Sequence, residues 1–144
     1  QHGLEPVAYS ELRELSFGTW EGMSVSEVEN NFPGQMKKRM ESVATFQADG
    51  GETYSQLQAR VIPKFEEIVA LHLNEQIAMV CHGGVNRVIL GHLLGIPMDR
   101  IFRIHQDYAA LNVIQYYDQE PVVEYIGNAE LFASEKDEIK TAIQ

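Results

Sequence analysis

The sequence has few cysteines, few basic residues and no long apolar segment. Its single cysteine, Cys81, excludes both an intrachain disulfide framework and a multi-cysteine zinc site. A lone cysteine is typical of a reducing compartment, so we expect a cytoplasmic protein. No apolar run approaches the roughly 18 residues that a membrane-spanning helix requires, and no signal sequence is recognisable. We therefore expect no membrane association.

Basic residues are fewer than acidic residues. The chain has 11 Lys and Arg against 21 Asp and Glu, which gives a formal net charge of −10. An acidic protein is a poor candidate for binding nucleic acid without sequence specificity. An anionic ligand would need a local site that overcomes this overall field. With 144 residues, 44% hydrophobic content and no repeat or linker, residues 1–144 are expected to form a single globular domain.

Local sequence signals predict the first helices. Ser24-Val25-Ser26-Glu27 has the form of a capping box and predicts a short helix over 25–31. Residues 35–46 predict a second, looser helix. Thr53-Tyr54-Ser55-Gln56 has the same capping form and begins a longer helix with an apolar stripe. We expect Pro63 to kink or locally fray that helix, because proline cannot donate its hydrogen bond.

The middle of the chain has the pattern of half a parallel βαβ unit. Residues 76–81 are almost continuously apolar, which is typical of a strand buried on both faces. His82-Gly83-Gly84 follows as a tight turn, and the apolar segment 85–94 predicts a helix. This pattern favours the α/β class.

Two further strands are predicted at 109–117 and 121–126, with a hairpin turn between them. The tail from Ser134 onward is polar, which indicates a polar or frayed helix.

The His82-Gly83-Gly84 turn is the strongest chemical signal. A helix N-terminus offers unpaired N–H groups and partial positive charge, so it suits a phosphate. His82 could donate to a phosphoryl oxygen, and Arg87 lies one turn into the helix, where it could reach or brace the same site. The alternative is a satisfied strand-end histidine followed by ordinary turn glycines. The residues alone leave both open.

A second signal is Glu14, which lies among apolar residues in the segment 11–22. A carboxyl group partly buried in apolar surroundings has a raised pKa, which suits a general acid near neutral pH. On spacing alone, a solvated carboxylate explains Glu14 better.

Three separated motifs together resemble the histidine phosphatase (phosphoglycerate mutase-like) superfamily. They are Leu-x-Glu-x-x-Phe-Gly-x-Trp-Glu-Gly, then Gly-Gly-Glu-Thr opening a helix with Arg60-Val61, and Val-Cys-His-Gly-Gly-Val-Asn-Arg. The resemblance covers residues 3 to about 128. It implies a three-layer α/β sandwich, with a mostly parallel sheet and helices on both faces.

The resemblance also implies roles for individual residues. His82 would be the second histidine of the phosphate pocket, Gly83 would offer its N–H to the phosphate, and Glu14 would protonate the leaving oxygen. A first histidine, in an Arg-His-Gly motif, attacks phosphorus in that family, and neither a metal nor a cofactor is implied. Three residues of the first motif would be structural: Gly18, Trp20 and Gly22.

The sequence departs from the family pattern near its start. Neither the Arg-His-Gly strand nor the later phosphate-binding arginine of the family is visible. His2-Gly3 imitates the motif only superficially, since Gln1 replaces the arginine and no apolar strand precedes it. We therefore expect the C-terminal two-thirds of a histidine phosphatase, with the N-terminal strand and the phosphoryl-accepting group missing.

Several alternatives remain at this point. Glu14 and His82 are 68 positions apart, which resembles the compact phosphatases of that family and looks short for its mutases. The resemblance therefore implies a phosphatase, with α-ribazole 5′-phosphate or a range of small phosphorylated metabolites as substrate. An inactive phosphate-binding or interaction module is the rival. His105 is a weaker pocket candidate, and Lys37-Lys38-Arg39 is either a substrate-attracting run or a solvated face. An unpartnered sheet edge would favour a homodimer.

Overall fold

The computed structural model describes residues 3–128. Its regular elements, in chain order, are helices α1 Val25–Asn31, α2 Gln35–Glu41, α3 Tyr54–Leu71 and α4 Gly83–Leu93, then strands β1 Ala110–Tyr117 and β2 Glu120–Asn128. Short 3₁₀ turns occur at Ser10–Leu12, Gly18–Trp20 and Met98–Arg103. His2 and the predicted polar tail from Ser134 lie outside the described residues.

Both predicted capping boxes form. The Ser24 N–H donates to the Glu27 carboxylate at 2.8 Å, and the Glu27 N–H donates back to the Ser24 hydroxyl at 3.3 Å. Thr53 and Gln56 exchange the same pair of bonds at 2.8 and 3.0 Å. These bonds satisfy N–H groups that a helix start leaves unpaired, so α1 and α3 begin where the sequence predicts. The second helix ends at Glu41, earlier than the predicted 46.

Helix α3 is continuous through Pro63, so the predicted fraying is wrong. Pro63 is exposed, whereas the apolar stripe of the same helix is buried against α4. That packing keeps the helix intact at the missing hydrogen bond, because burial of an apolar face stabilises a helix more than a single backbone hydrogen bond does. The fully buried residues at the centre of this core are Leu57, Val61, Phe65, Val85, Val88, Leu90 and Ile101.

A second, smaller core forms around Trp20. The indole is 4% exposed and packs with Val28 and Ala48. Its ring centroid lies 6.4 Å from that of Phe32 and 5.3 Å from that of Phe46. This cluster anchors the loop that follows Glu14 onto the first helices.

The predicted hairpin is confirmed. Strands β1 and β2 pair antiparallel, with Tyr117 opposite Glu120. Between them, Asp118 and Gln119 have φ of 48° and 72°, the conformation of the two-residue turn that matches strand twist. One irregularity in register falls between Val113 and Ile114.

The predicted strand at 76–81 is not observed. Within residues 3–128 the hairpin is the only sheet, and residues 76–81 pair with no other segment. Ile77 is 40% exposed and Val80 is 99% exposed, so the segment is not buried on both faces. A strand exists only through hydrogen bonds to neighbours, and the described residues offer this segment none.

Gly18 and Gly22 form a matched pair for testing the loop around Trp20. Both have positive φ, +53° and +76°, but a Cβ on Gly18 would collide with the Asp49 carbonyl, whereas one on Gly22 meets nothing within 4 Å. We expect Gly22→Ala to lower the free energy of unfolding by about 1 kcal/mol, from backbone strain alone. Gly18→Ala should cost about 3 kcal/mol or more, since backbone must also move. Urea unfolding of both variants measures the difference, and equal losses would contradict the close approach of the 18–20 turn to residue 49.

Candidate active site

The N-terminus of α4 is the centre of the site. His82 is the residue that precedes the first helical turn, and its carbonyl accepts the Asn86 N–H at 2.9 Å. The His82 side chain is exposed and makes no capping bond. Within residues 3–128, no hydrogen bond to the Gly83 N–H is found. The helix therefore presents a free N–H and an imidazole at its positive end.

Glu14 reaches this helix terminus from a distant part of the chain. One carboxylate oxygen, Oε2, accepts the Gly84 N–H at 3.0 Å across 70 positions of sequence. The other, Oε1, accepts the Leu15 N–H at 2.7 Å. Gly84 is buried and has no side chain, which is what allows the carboxylate to come so close. The structure thus brings together two of the predicted motifs, at Glu14 and at Gly83-Gly84.

Arg60 holds the loop that carries Glu14. Its guanidinium donates to the Glu52 carboxylate at 2.7 and 2.8 Å, and to the backbone carbonyls of Glu11, Arg13 and Glu14 at 2.6, 2.9 and 3.1 Å. The Arg60 and Glu52 side chains are only 18% and 12% exposed. The hydrogen bond and charge of Arg60 hold the pKa of Glu52 below its usual value.

The sequence pattern predicts no role for the Glu52–Arg60 pair. Arg60 follows Glu52 by eight positions, so the two are not the three- or four-residue pair that a helix places side by side. The pair could have been suspected from its position on the helix. Glu52 immediately precedes the helix cap at Thr53, and Arg60 lies two turns into α3.

Arg87 lies beside Gly83, the first residue of α4. Its Nε donates to the Ile104 carbonyl at 2.9 Å, and its guanidinium carbon lies 5.9 Å from the centroid of the Phe102 ring. Its Nη1 is 3.1 Å from the position that a Cβ on Gly83 would occupy. Arg87 therefore lies beside Gly83, and whether it reaches a ligand or braces the site stays a prediction.

Tyr54 is buried, and its hydroxyl lies within the electrostatic influence of charged side chains around the site. Burial raises the pKa of its hydroxyl, the charges of Arg39 and Arg87 oppose that shift, and the Glu14 charge adds to it. All three charged side chains therefore lie close enough to act on one buried phenol. Of these, Arg39 is the residue that the sequence placed only in a basic run.

The weaker candidates make no hydrogen bond to Glu14 or to the start of α4 among residues 3–128. His105 is 81% exposed at its side chain and pairs with Asp107 at 2.9 Å. Burial and the Glu14 charge raise the pKa of the Cys81 thiol, which opposes a thiolate nucleophile. A cavity of about 430 Å³ is lined by other residues: Thr19, Phe32, Gln35, Gln47, Ala48, Asp49 and Gly50.

Between residues 3 and 128, no three His, Cys, Asp or Glu side chains come together as metal ligands. In the same part of the chain, no helix is both long and apolar enough to cross a bilayer.

The two helix-start glycines allow a controlled test of the Glu14 contact. A Cβ on Gly84 would collide with Glu14 Oε1, whereas one on Gly83 meets only the end of the flexible Arg87 side chain. We expect Gly84→Ala to displace the carboxylate and lower the free energy of unfolding by about 1–3 kcal/mol, since the Gly84 N–H loses its partner. Gly83→Ala should be neutral or gain up to about 1 kcal/mol from helix propensity. Thermal unfolding distinguishes them, and equal effects would contradict the Glu14–Gly84 contact.

Comparison with solved structures confirms the fold class. The α-ribazole phosphatase from Shigella flexneri superposes with a TM-score of 0.70 at 19% identity, covering 83% of this chain and 59% of that one. A phosphoserine phosphatase mutant from Entamoeba histolytica, solved in complex with phosphoserine, gives 0.74 at 17%, covering 87% and 63%. These likenesses show the phosphoglycerate mutase-like α/β fold.

Comparison of sequences identifies phosphatases among the relatives. Phosphoserine phosphatase 1 of Hydrogenobacter thermophilus is 27% identical over 120 residues, which are 83% of this chain and 57% of that protein. Glucosyl-3-phosphoglycerate phosphatase of Mycolicibacterium vanbaalenii is 30% identical over 103 residues, 66% of this chain and 45% of that protein. The chain thus spans about half the length of these two relatives. A family model, the histidine phosphatase superfamily (branch 1), matches residues 1–129. The chain therefore belongs to the histidine phosphatase superfamily.

Proposed function

We propose that the protein hydrolyses a small phosphomonoester through a phosphohistidine intermediate. One observation carries this proposal. The Glu14 carboxylate is hydrogen-bonded to the Gly84 N–H at the start of α4, beside the free N–H of Gly83 and the exposed His82. The Glu14 carboxyl group, which can carry a proton, thus lies next to a helix terminus that suits an anion. These are the two elements that cleavage of a phosphate ester requires.

The phosphoryl group would bind at the helix terminus. Its oxygens accept from the Gly83 N–H and from His82, and the partial positive charge of α4 stabilises them. Arg87, fixed beside Gly83 by its bond to the Ile104 carbonyl, supports the same charge. This small cationic site offsets the net charge of −10 that surrounds it. An acidic protein could therefore bind an anion at this one site.

Glu14 would move the proton in both halves of the reaction. In the first half, a histidine nitrogen forms a bond to phosphorus, the ester P–O bond breaks, and the leaving oxygen takes the proton of the Glu14 carboxyl. In the second half, the Glu14 carboxylate accepts a proton from water, whose oxygen attacks phosphorus and breaks the P–N bond. Inorganic phosphate leaves, and both the histidine and the Glu14 carboxyl are regenerated.

We assign the phosphoryl-accepting histidine to a segment upstream of Gln1, not to His2. Two observations support this assignment. Residues 76–81 are mostly apolar and unpaired within the described residues, and four of the six are exposed, as expected of a strand whose neighbour is supplied from elsewhere. The relatives compared above are also longer, since this chain covers 57% of the Hydrogenobacter protein.

The substrate would be a small phosphorylated metabolite, and hydrolysis is favoured over mutase chemistry. The compared relatives are named phosphoserine and glucosyl-3-phosphoglycerate phosphatases, and one superposed structure is an α-ribazole phosphatase. These names support a phosphatase, with α-ribazole 5′-phosphate as one candidate substrate among several.

Turnover of p-nitrophenyl phosphate tests the proposal. We expect the 144-residue chain alone to be inactive and the same chain extended upstream to be active. In the extended protein, Glu14→Gln should slow turnover by about 10²–10⁴, the usual range for a general acid, with phosphate binding nearly unchanged. Glu11→Gln, in the same loop but paired with Ser10 at 3.1 Å, is the matched control and should have little effect.

Two results would contradict this account. Turnover by the 144-residue chain alone would overturn the upstream assignment of the nucleophile. An unchanged rate in Glu14→Gln would remove Glu14 from the mechanism.

Loss of His82 tests the phosphate site separately. We expect His82→Ala to lower both the turnover of the extended protein and its affinity for vanadate, because one donor to the oxyanion is removed. His105→Ala, which removes an exposed imidazole paired with Asp107, should leave both unchanged. Vanadate titration monitored by inhibition measures the affinity. If oxyanion binding survives unaltered in His82→Ala, the site is misplaced.

A further inference from the structure

A second cation lies beside the site, on helix α2. The guanidinium carbon of Arg39 is 5.2 Å from the centroid of the Phe17 ring and 5.4 Å from that of Phe102. The side chain is half-buried between these rings. Its orientation is therefore fixed by aromatic rings and not by a counterion.

Arg39 is a half-buried cation without an acidic partner among the described residues. Among residues 3–128, no carboxylate forms an ion pair with Arg39, whereas Lys37 in the same helix pairs with Glu41 at 3.8 Å and Lys64 pairs with Glu67 at 2.6 Å. The charge of Arg39 opposes the rise that burial causes in the pKa of the Tyr54 hydroxyl. A half-buried guanidinium with no anion keeps most of its five donors available to a ligand.

The position of Arg39 relates it to the phosphate site. Arg87, which lies beside Gly83, has its guanidinium carbon 5.9 Å from the centroid of the same Phe102 ring. The charges of Arg39, Arg87 and Glu14 all act on the pKa of the Tyr54 hydroxyl. Because their guanidinium carbons lie 5.4 and 5.9 Å from one ring centroid, the two arginines are at most about 11 Å apart. A ligand whose phosphate lies at Gly83 could thus present its other end to Arg39.

We propose that Arg39 binds a second anionic group, carboxylate or phosphate, on the leaving group of the substrate. The substrate class would then be small phosphomonoesters with a second negative charge. This inference rests on the proposed function of the site. Arginine suits the role because its planar fork pairs with two oxygens at once, and either anion offers them.

Three substrates with the same three-carbon leaving group test the inference: 3-phosphooxypropanoate, 1,3-propanediol bisphosphate and propyl phosphate. They end in a carboxylate, a phosphate and a methyl group. In the upstream-extended protein, we expect a higher kcat/KM for at least one anionic substrate than for propyl phosphate. Arg39→Gln should lower that value about 10–100-fold, consistent with loss of a charge-assisted pair. The value for propyl phosphate should change less than about twofold, and the anionic substrate that loses more identifies the group bound.

A matched control separates a local contact from the general charge of α2. Lys38→Gln removes the same charge from the neighbouring, exposed position and should leave all three kcat/KM values within about twofold. Equal losses for anionic and neutral substrates in Arg39→Gln would overturn the inference. So would a wild-type protein with no preference for an anionic leaving group.

Failure of the proposed function can be recognised separately. If no substrate is hydrolysed, the phosphatase proposal fails, and calorimetric binding of the same three compounds still decides the role of Arg39. Weaker binding of an anionic compound alone in Arg39→Gln supports the role. Binding that is unchanged, or absent for all three compounds, contradicts it.

Discussion

The guanidinium of Arg60 is the constraint on which the candidate site depends. It binds the Glu52 carboxylate and also three carbonyls of one loop, those of Glu11, Arg13 and Glu14. These carbonyls lie 46 to 49 positions before Arg60 in the sequence. The loop has no regular secondary structure around Glu14, so its carbonyls would otherwise need water. With the backbone fixed in this way, the Glu14 carboxylate can reach the Gly84 N–H at 3.0 Å. A salt bridge on the core helix α3 thereby sets the geometry at the start of α4.

Features that depend on near neighbours could be predicted from the sequence. The capping boxes at Ser24 and Thr53 need only residues three positions away, and both form as predicted. The hairpin follows from its turn at Asp118 and Gln119, where positive φ matches strand twist. The position of Gly83 at the start of α4 follows in the same way, from a glycine turn before an apolar segment.

Features that depend on distant partners could not be predicted in this way. The apolar pattern of 76–81 predicts a buried strand, but pairing requires a neighbour that the described residues do not provide. The contacts of Arg60 with the Glu14 loop were missed because the carbonyls lie 46 to 49 positions away, and periodicity carries no information about such contacts. The sequence placed Arg39 in a basic run but could not show its contacts with the Phe17 and Phe102 rings. Only the resemblance of three separated motifs to a known family linked Glu14 to the His82-Gly83-Gly84 turn, where the structure shows a bond between Glu14 and the Gly84 N–H.

The most direct test of the account is a crystal structure of the upstream-extended protein with orthovanadate bound. The account predicts that vanadate oxygens accept hydrogen bonds from the Gly83 N–H and the His82 side chain, with the Glu14 carboxyl facing the oxygen opposite the nucleophile. Vanadate bound elsewhere, for instance in the cavity lined by Thr19 and Asp49, with the α4 N-terminus empty, would contradict it.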